Sequence, residues 1–120
     1  MRDIQWALQW VPIHAPKPNP RNARTHSKKQ IRQIANSISR FGWTYPLLVD
    51  ENFVVLAGHG RLLAASELNL DKVPLVVVSD LSEAEKRALM LADNKIAANA
   101  GWDRKILAKE LGELSDLFPR

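Results

Sequence analysis

Hydrophobic residues recur at helical spacing between positions 28 and 41, bounded by a polar start and a glycine stop. Ser27 and Gln30 have the spacing of a capping box, in which a side-chain oxygen accepts a hydrogen bond from a backbone N–H of the first turn. Apolar residues then follow three or four positions apart, as one face of a helix requires, at Ile31, Ile34, Ala35, Ile38 and Phe41. Gly42 is a typical C-terminal stop. The pattern predicts a helix from about Lys28 to Phe41.

The next segment combines short β-prone runs with turn residues. The runs 46–49 and 53–57 are separated by residues 50–52, which predicts a hairpin. A glycine turn and a helix over about 61–68 follow, and residues 73–78 form a third strand. Because a strand and a helix precede it, we expect this third strand to lie beside the run 53–57 in a crossover unit.

Both ends of the chain give further predictions. Residues 1–20 contain four of the seven prolines, so they form an extended lead-in that we expect Trp6 or Trp10 to pin to the body. Ser82 and Glu85 form a second capping box, and the helix it opens should end at about 94–98. Asp103 caps a last helix, whose apolar face, either core or the start of a packing surface, carries Leu107, Leu111, Leu114 and Phe118.

Composition limits the class of protein. The chain has 120 residues, enough for one domain with a real core. It has no cysteine, which excludes disulfides, thiol catalysis and cysteine-based metal sites. The sequence contains no apolar run near the roughly 20 residues of a membrane span, and its start does not match a secretory signal. We therefore expect a cytoplasmic protein that does not associate with membranes.

Charge is distributed unevenly along the chain. The net charge is +4, and residues 17–40 carry basic side chains without a single acidic one. A one-sided basic segment suits an anionic partner, either a nucleotide or a nucleic-acid backbone. The candidate residues for contact with DNA are Arg21, Arg24, Lys28, Lys29 and Arg32.

Chemistry is concentrated at Gly58-His59-Gly60-Arg61, between a short apolar strand and an Ala/Leu-rich helix. Glycines let a backbone approach a ligand closely, and a helix N-terminus offers N–H groups to an anion. Arg61 could add a bidentate contact to phosphate oxygens. The alternative is an ordinary glycine turn with a solvated arginine.

Three interpretations of His59 stay open. It could donate to a phosphate, carry a proton near neutral pH, or pack on the surface as a spacer. His14 and His26 lack a partner at metal-ligand spacing, so a transition-metal site is not expected. Trp43 and Tyr45, which follow the first helix, are expected in the core.

The order of these motifs resembles the ParB/sulfiredoxin superfamily over about residues 11–102. The matching elements are Asn19-Pro-x-x-x-Arg24, Ser37-Ile38-x-x-Phe41-Gly42, the strand 46–49, Ala57-Gly58-x-x-Arg61-x-x-Ala64-Ala65 and Asp93-Asn94. The chain looks most like the ParB-like nuclease domains that precede DNA methyltransferases in phage and other mobile elements. The resemblance implies an α/β (α+β) fold, a small mixed sheet with helices packed on it, and a C-terminal helix over 103–120 that continues into a longer protein.

The resemblance also implies a nucleotide site. Gly58, His59, Gly60 and Arg61 would cradle the phosphates of a nucleoside triphosphate, CTP or ATP. Asp93 and Asn94 match a second phosphate motif in which Asn94 helps to hold Mg²⁺. Arg24 corresponds to an arginine of the loop that lines the nucleotide pocket.

Two departures from ParB bear on catalysis. ParB proteins that hydrolyse CTP carry Gly-Glu-Arg-Arg where this chain has Gly58-His59-Gly60-Arg61, and Ala97 replaces an arginine of the second motif. Phosphate binding is therefore expected with little or no hydrolysis. Sulfiredoxin activity requires a cysteine beside the glycine turn and is excluded.

The expected function is a nucleotide-binding or phosphate-binding module of a protein for DNA modification, partition or a mobile element. One alternative is a metal-dependent nuclease or NTPase in the same pocket, with His59 and Asp93 as candidate catalytic residues. The other is a domain that binds the DNA backbone without catalysis. Fusion to a further domain such as a DNA methyltransferase is expected, and a homodimer is left open.

Overall fold

The computed structural model describes residues 7–22, 25–99 and 103–117, with the backbone alone for 94–99. Over these residues the chain forms four strands and four helices. In chain order they are β1 (Leu8–Pro12), α1 (Lys28–Phe41), β2 (Leu47–Val49), β3 (Val55–Ala57), α2 (His59–Glu67), β4 (Lys72–Val77), α3 (Glu83–Asn99) and α4 (Arg104–Leu117). The mixed α/β class expected from the sequence is confirmed.

Within the described residues the strands form one mixed sheet in the order β1-β4-β2-β3. β2 pairs with β3 as the predicted antiparallel hairpin and with β4 in parallel, where Leu47 lies opposite Leu75. The core lies on these central strands because their apolar residues are fully buried, at Leu47, Val49, Val55, Val73 and Leu75. Ala65 of α2 packs into the same cluster.

The position predicted for the third strand is wrong. β4 lies beside β2, not beside the run 53–57. The outer edge of β3 is already occupied, because the Lys17 N–H donates to the Phe53 carbonyl at 2.7 Å and the Val55 N–H donates to the Lys17 carbonyl at 2.9 Å. The central edge of the hairpin, on β2, is therefore the one that β4 extends.

Backbone pairing holds the described part of the lead-in to the sheet. Its first part is β1, a strand that the sequence did not predict, which pairs antiparallel with β4. Trp10 is 55% exposed, so the prediction that it pins the lead-in is wrong, and Trp6 lies outside the described residues. The lead-in thus starts at one edge of the sheet and reaches the other edge at Lys17.

Capping explains why α1 begins and ends where the sequence predicted. The Gln30 N–H donates to the Ser27 hydroxyl at 3.1 Å, and the Gly42 N–H donates to the Ile38 carbonyl at 2.8 Å with φ +78°. Ala35 is buried, but Phe41 is 67% exposed at the last turn. The helix therefore buries its middle rather than its C-terminal end.

The predicted face of α4 is not part of the core. Over Arg104–Leu117, which the structure describes in full, the helix buries no residue, and Leu111 and Leu114 are exposed. Phe118 lies outside the described residues. A packing surface remains the prediction for this face.

An ionic cluster in which Asp50 and Lys86 are buried connects the start of α3 to the hairpin turn. The Asp50 carboxylate accepts hydrogen bonds from the N–H groups of Asn52 and Val54, and Lys86 Nζ lies 3.2 Å from Asp50, Glu51 and Glu83. Burial alone raises the pKa of Asp50, but the hydrogen bonds from Val54, Lys86 and Asn52 outweigh it and leave that pKa lowered. The cluster therefore orients the helix that carries Asp93.

The cluster gives the fold a defined acid sensitivity. Because the folded-state pKa of Asp50 is lowered, its stabilising contribution is present above the ordinary value of 3.8 and is lost as the pH falls through the folded value. We expect Lys86→Met to lower the unfolding free energy at about pH 7 and to flatten its decline towards about pH 3. Urea unfolding at both pH values measures this. Lys109→Met, at an exposed position, is the control, and an unchanged pH slope in Lys86→Met would contradict the assignment.

Candidate functional site

A cavity of about 520 Å³ opens between α1, the segment 43–46 and the start of α2. Gln30 and Ile34 line it from α1, and His26 lines it from just before that helix. This volume lies within the range of about 300–1,000 Å³ typical of small-molecule sites. The residues of the glycine turn, 58–61, also line this cavity.

The N-terminus of α2 opens into this cavity through Gly58. Gly58 has φ +103°, and a Cβ on it would stand 2.6 Å from Leu47 Cδ2, so both the backbone and the packing require glycine. Gly58 offers no side-chain cap, and α2, described over its whole length, has no acidic residue in its first turn. The positive end of the helix dipole therefore faces the cavity without a carboxylate from its own first turn.

Gly60 lets α1 and α2 approach each other. It is buried, and a Cβ there would lie 2.9 Å from His26 Cε1 and 3.0 Å from Ile34 Cδ1. The second glycine of the turn thus serves helix packing at the wall of the cavity.

Arg61 lines the cavity and lies over an aromatic ring. Its guanidinium carbon is 5.1 Å from the ring centroid of Tyr45, a cation–π distance, and Nη1 lies 3.2 Å from the position of a Cβ on Gly58. Tyr45 is 65% exposed, so its prediction as a core residue is wrong, whereas Trp43 is half-buried and packs on the core as expected. The tyrosine was missed as a site residue because its aromatic character alone favours burial.

His59 is half-buried and bonded to the lead-in. Its Nε2 accepts a hydrogen bond from the backbone N–H of Asn19 at 3.2 Å. Burial, and then the charge of nearby His26, lower the pKa of His59, so the ring is neutral near pH 7 with its proton on Nδ1.

Asn19 connects four parts of the fold. Besides its bond to His59, its side-chain amide donates to the Val55 carbonyl at 3.1 Å and to Met90 Sδ at 3.2 Å, and its Oδ1 accepts from the Arg21 N–H at 2.9 Å. It thereby joins the lead-in to β3, α2 and α3. The only sequence signal for it was its place in the Asn-Pro motif.

The second predicted phosphate motif is described in part. Asp93 is exposed and lines the cavity, and Asn94 follows it in α3. Arg24 lies outside the described residues. Among those that are described, there is no group of three or more His, Cys, Asp or Glu side chains that could hold a metal ion.

Four of the five basic residues predicted to contact DNA are described, and none of these four lines the cavity. Lys28, Lys29 and Arg32 are exposed on α1, and Arg21 is exposed on the loop before it. Lys28 and Arg32 are four residues apart and share one side of the helix. Within residues 7–22, 25–99 and 103–117, no helix is long and apolar enough to cross a membrane.

Comparison with known proteins identifies the family. The ParB N-terminal domain matches residues 4–95, and the chain belongs to this family. It is 46% identical over 80 residues to the ParB-like nuclease domain-containing protein YnaK of Escherichia coli. The aligned region covers 67% of this chain and 92% of that protein. The resemblance inferred from the motifs is confirmed.

Solved structures confirm the fold. The C-terminally truncated chromosome-partitioning protein ParB from Caulobacter crescentus, complexed with CTP-γ-S, is similar with a TM-score of 0.79 at 24% identity, over 95% of this chain and 66% of that one. Sulfiredoxin from Arabidopsis thaliana is similar with a TM-score of 0.55 at 17% identity, over 62% of this chain and 86% of that one. Both structures therefore share the fold of this chain.

Proposed function

We propose that this domain binds a nucleoside triphosphate, CTP or ATP, with Mg²⁺ in the cavity at Gly58–Arg61. In this proposal it acts as a nucleotide-binding module of a DNA-associated protein. The observation that carries the proposal is the open N-terminus of α2, which Gly58 leaves without a side-chain cap at the wall of a cavity of about 520 Å³. That the ParB of Caulobacter crescentus was crystallised with CTP-γ-S supports it.

The chemistry of the site suits a polyphosphate. Backbone N–H groups at a helix start and a guanidinium on the same wall are the donors that phosphate oxygens accept from. Apolar side chains, Ile34 and Leu48 among them, line other parts of the cavity and suit the less polar part of a nucleotide. We assign phosphate binding to the backbone of 58–60 and to Arg61, with Arg24 as a further candidate from the family pattern.

Mg²⁺ would be held by oxygen donors beside the phosphates. Asp93 lines the cavity and Asn94 is its neighbour in α3, and carboxylate and amide oxygens are ligands that Mg²⁺ accepts. The ion would neutralise phosphate charge when bound. Asp93 supplies a carboxylate at the cavity wall, the family pattern adds the Asn94 amide, and phosphate and water oxygens would fill the remaining positions.

The two rival functions use different surfaces, the cavity for a nuclease and the exposed part of α1 for DNA-backbone binding. A metal-dependent nuclease is favoured by the name of the YnaK relative, but such enzymes need clustered acidic ligands. Among the described residues, Asp93 lines the cavity, but no group of three or more His, Cys, Asp or Glu side chains could hold a metal ion. DNA-backbone binding through Lys28, Lys29 and Arg32 is compatible with the nucleotide site, because these side chains lie on the exposed part of α1. Plasmid cleavage without nucleotide binding would favour the nuclease.

The metal part of the proposal predicts the behaviour of Asn94→Ala. Because Asn94 would act through the ion, the substitution should weaken nucleotide binding when Mg²⁺ is present and have little effect in EDTA. Titration calorimetry with CTP under both conditions measures this. Asn36→Ala, at an exposed position of α1, is the matched control, and equal losses with and without the metal would refute the role.

A further inference from the structure

The side chain of His59 joins the start of α2 to the loop of residues 19–22. Its Nε2 lies 3.2 Å from the backbone nitrogen of Asn19, forty positions earlier in the chain. A backbone N–H only donates, so the imidazole nitrogen must be an unprotonated acceptor. The ring therefore uses Nε2 for a contact within the protein.

The loop that His59 holds reaches the lining of the cavity at Asn22. Asn22 lines the cavity, three residues after Asn19, and the Asn22 N–H donates to the Asn19 carbonyl at 3.1 Å. The side chain of Asn19 is bonded to β3 and α3. The hydrogen bond to His59 adds a contact with α2. It therefore fixes the position of the loop relative to the helix N-terminus that faces the cavity.

We propose that His59 is a positioning residue, whose neutral imidazole accepts the Asn19 N–H and so holds the loop 19–22 at the lining of the nucleotide cavity. The predicted effect of His59 on nucleotide affinity rests on the proposed function, whereas the contact with Asn19 does not. In this role the ring neither contacts a phosphate nor transfers a proton, while the backbone of His59 remains part of the helix start.

Three substitutions at one position separate these roles. His59→Gln carries an amide oxygen at about the distance of Nε2, His59→Asn carries the same group one methylene shorter, and His59→Ala has no acceptor. Amide hydrogen exchange of the nucleotide-free 120-residue chain follows the Asn19 N–H directly. The Val78 N–H, which donates to the Val49 carbonyl at 2.8 Å in the centre of the sheet, reports global unfolding.

We expect the Asn19 amide to exchange about tenfold faster in His59→Ala and His59→Asn than in wild type, with Val78 affected less, and His59→Gln to stay close to wild type. CTP affinity in Mg²⁺ should follow the same order, with losses of about threefold to tenfold. Rescue by Gln but not by Asn is a result that a charged phosphate ligand or a proton carrier would not give.

Three results would overturn the proposal. One is unchanged exchange at Asn19 in all variants. Another is equal acceleration at Asn19 and Val78, which would indicate a loss of overall stability only. The third is a Gln variant that protects Asn19 yet loses affinity as Ala does, since the ring itself would then contact the ligand. If wild type binds no nucleotide, the proposed function fails, whereas exchange at Asn19 still decides the positioning role.

Discussion

Arg61→Ala is expected to weaken CTP binding by about tenfold to a hundredfold while leaving the melting temperature almost unchanged. A charge-assisted hydrogen bond to phosphate contributes roughly 1.5–3 kcal/mol, which corresponds to this range. Arg61 is partly exposed at the cavity wall, and its contact with the exposed ring of Tyr45 contributes little to folding. Calorimetric titration and thermal unfolding of the same samples measure both quantities.

Arg40→Ala is the matched control for this prediction. Arg40 also lies over an aromatic ring, with its guanidinium carbon 5.8 Å from the centroid of Phe41, but it is an exposed residue at the end of α1. Its loss should leave CTP affinity unchanged. Unchanged affinity in Arg61→Ala, together with a large fall in melting temperature, would make Arg61 a structural residue.

Gly58→Ala is expected to lower the free energy of unfolding by about 2–4 kcal/mol, since two costs add. The residue would have to keep φ +103°, and its Cβ would stand 2.6 Å from Leu47 Cδ2. Leu47 is fully buried on the central strand β2, so its side chain could move only by displacing packed core neighbours. Chemical denaturation measures the change.

Two other glycines separate the costs. Gly42 has φ +78° and ψ −171°, a region that only glycine adopts readily, with nothing described within 4 Å of its Cβ position, so Gly42→Ala should show a backbone cost without a packing cost, about 1–3 kcal/mol. Gly112 lies in α4 with nothing described within 4 Å of its Cβ position, and Gly112→Ala should be neutral or stabilising by up to about 1 kcal/mol. If Gly58→Ala cost no more than the left-handed backbone alone, about 1–2 kcal/mol, the close packing against Leu47 would be refuted.

Local patterns predicted those elements whose ends are set by their own residues. The Ser27 and Gly42 caps bound α1 as the sequence indicated, and the turn at 50–52 joins the predicted hairpin. The pairing of β4 was mispredicted because it depends on Lys17, a residue far away in sequence that occupies the edge of β3. Edge occupancy is a tertiary property that hydrophobic periodicity does not report.

For the candidate site too, the sequence predicted local motifs but not the contacts between residues distant in the chain. Motif spacing indicated the turn at 58–61, and the structure places this turn on a cavity together with Asp93. The contacts of Asn19 and Tyr45 were not predictable, since each depends on a partner brought near by folding: His59 for Asn19 and Arg61 for Tyr45. Sequence identified the residue types of the site, and the fold determined which of them meet.

Titration calorimetry of the 120-residue chain with CTP, ATP and GTP, each with and without Mg²⁺, tests the central claim most directly. We expect saturable binding of CTP or ATP at one site per chain, stronger with Mg²⁺, about tenfold to a hundredfold weaker in Arg61→Ala and unchanged in Arg40→Ala. Absence of binding for all three nucleotides under both conditions, or binding that Arg61→Ala leaves unchanged, would contradict it.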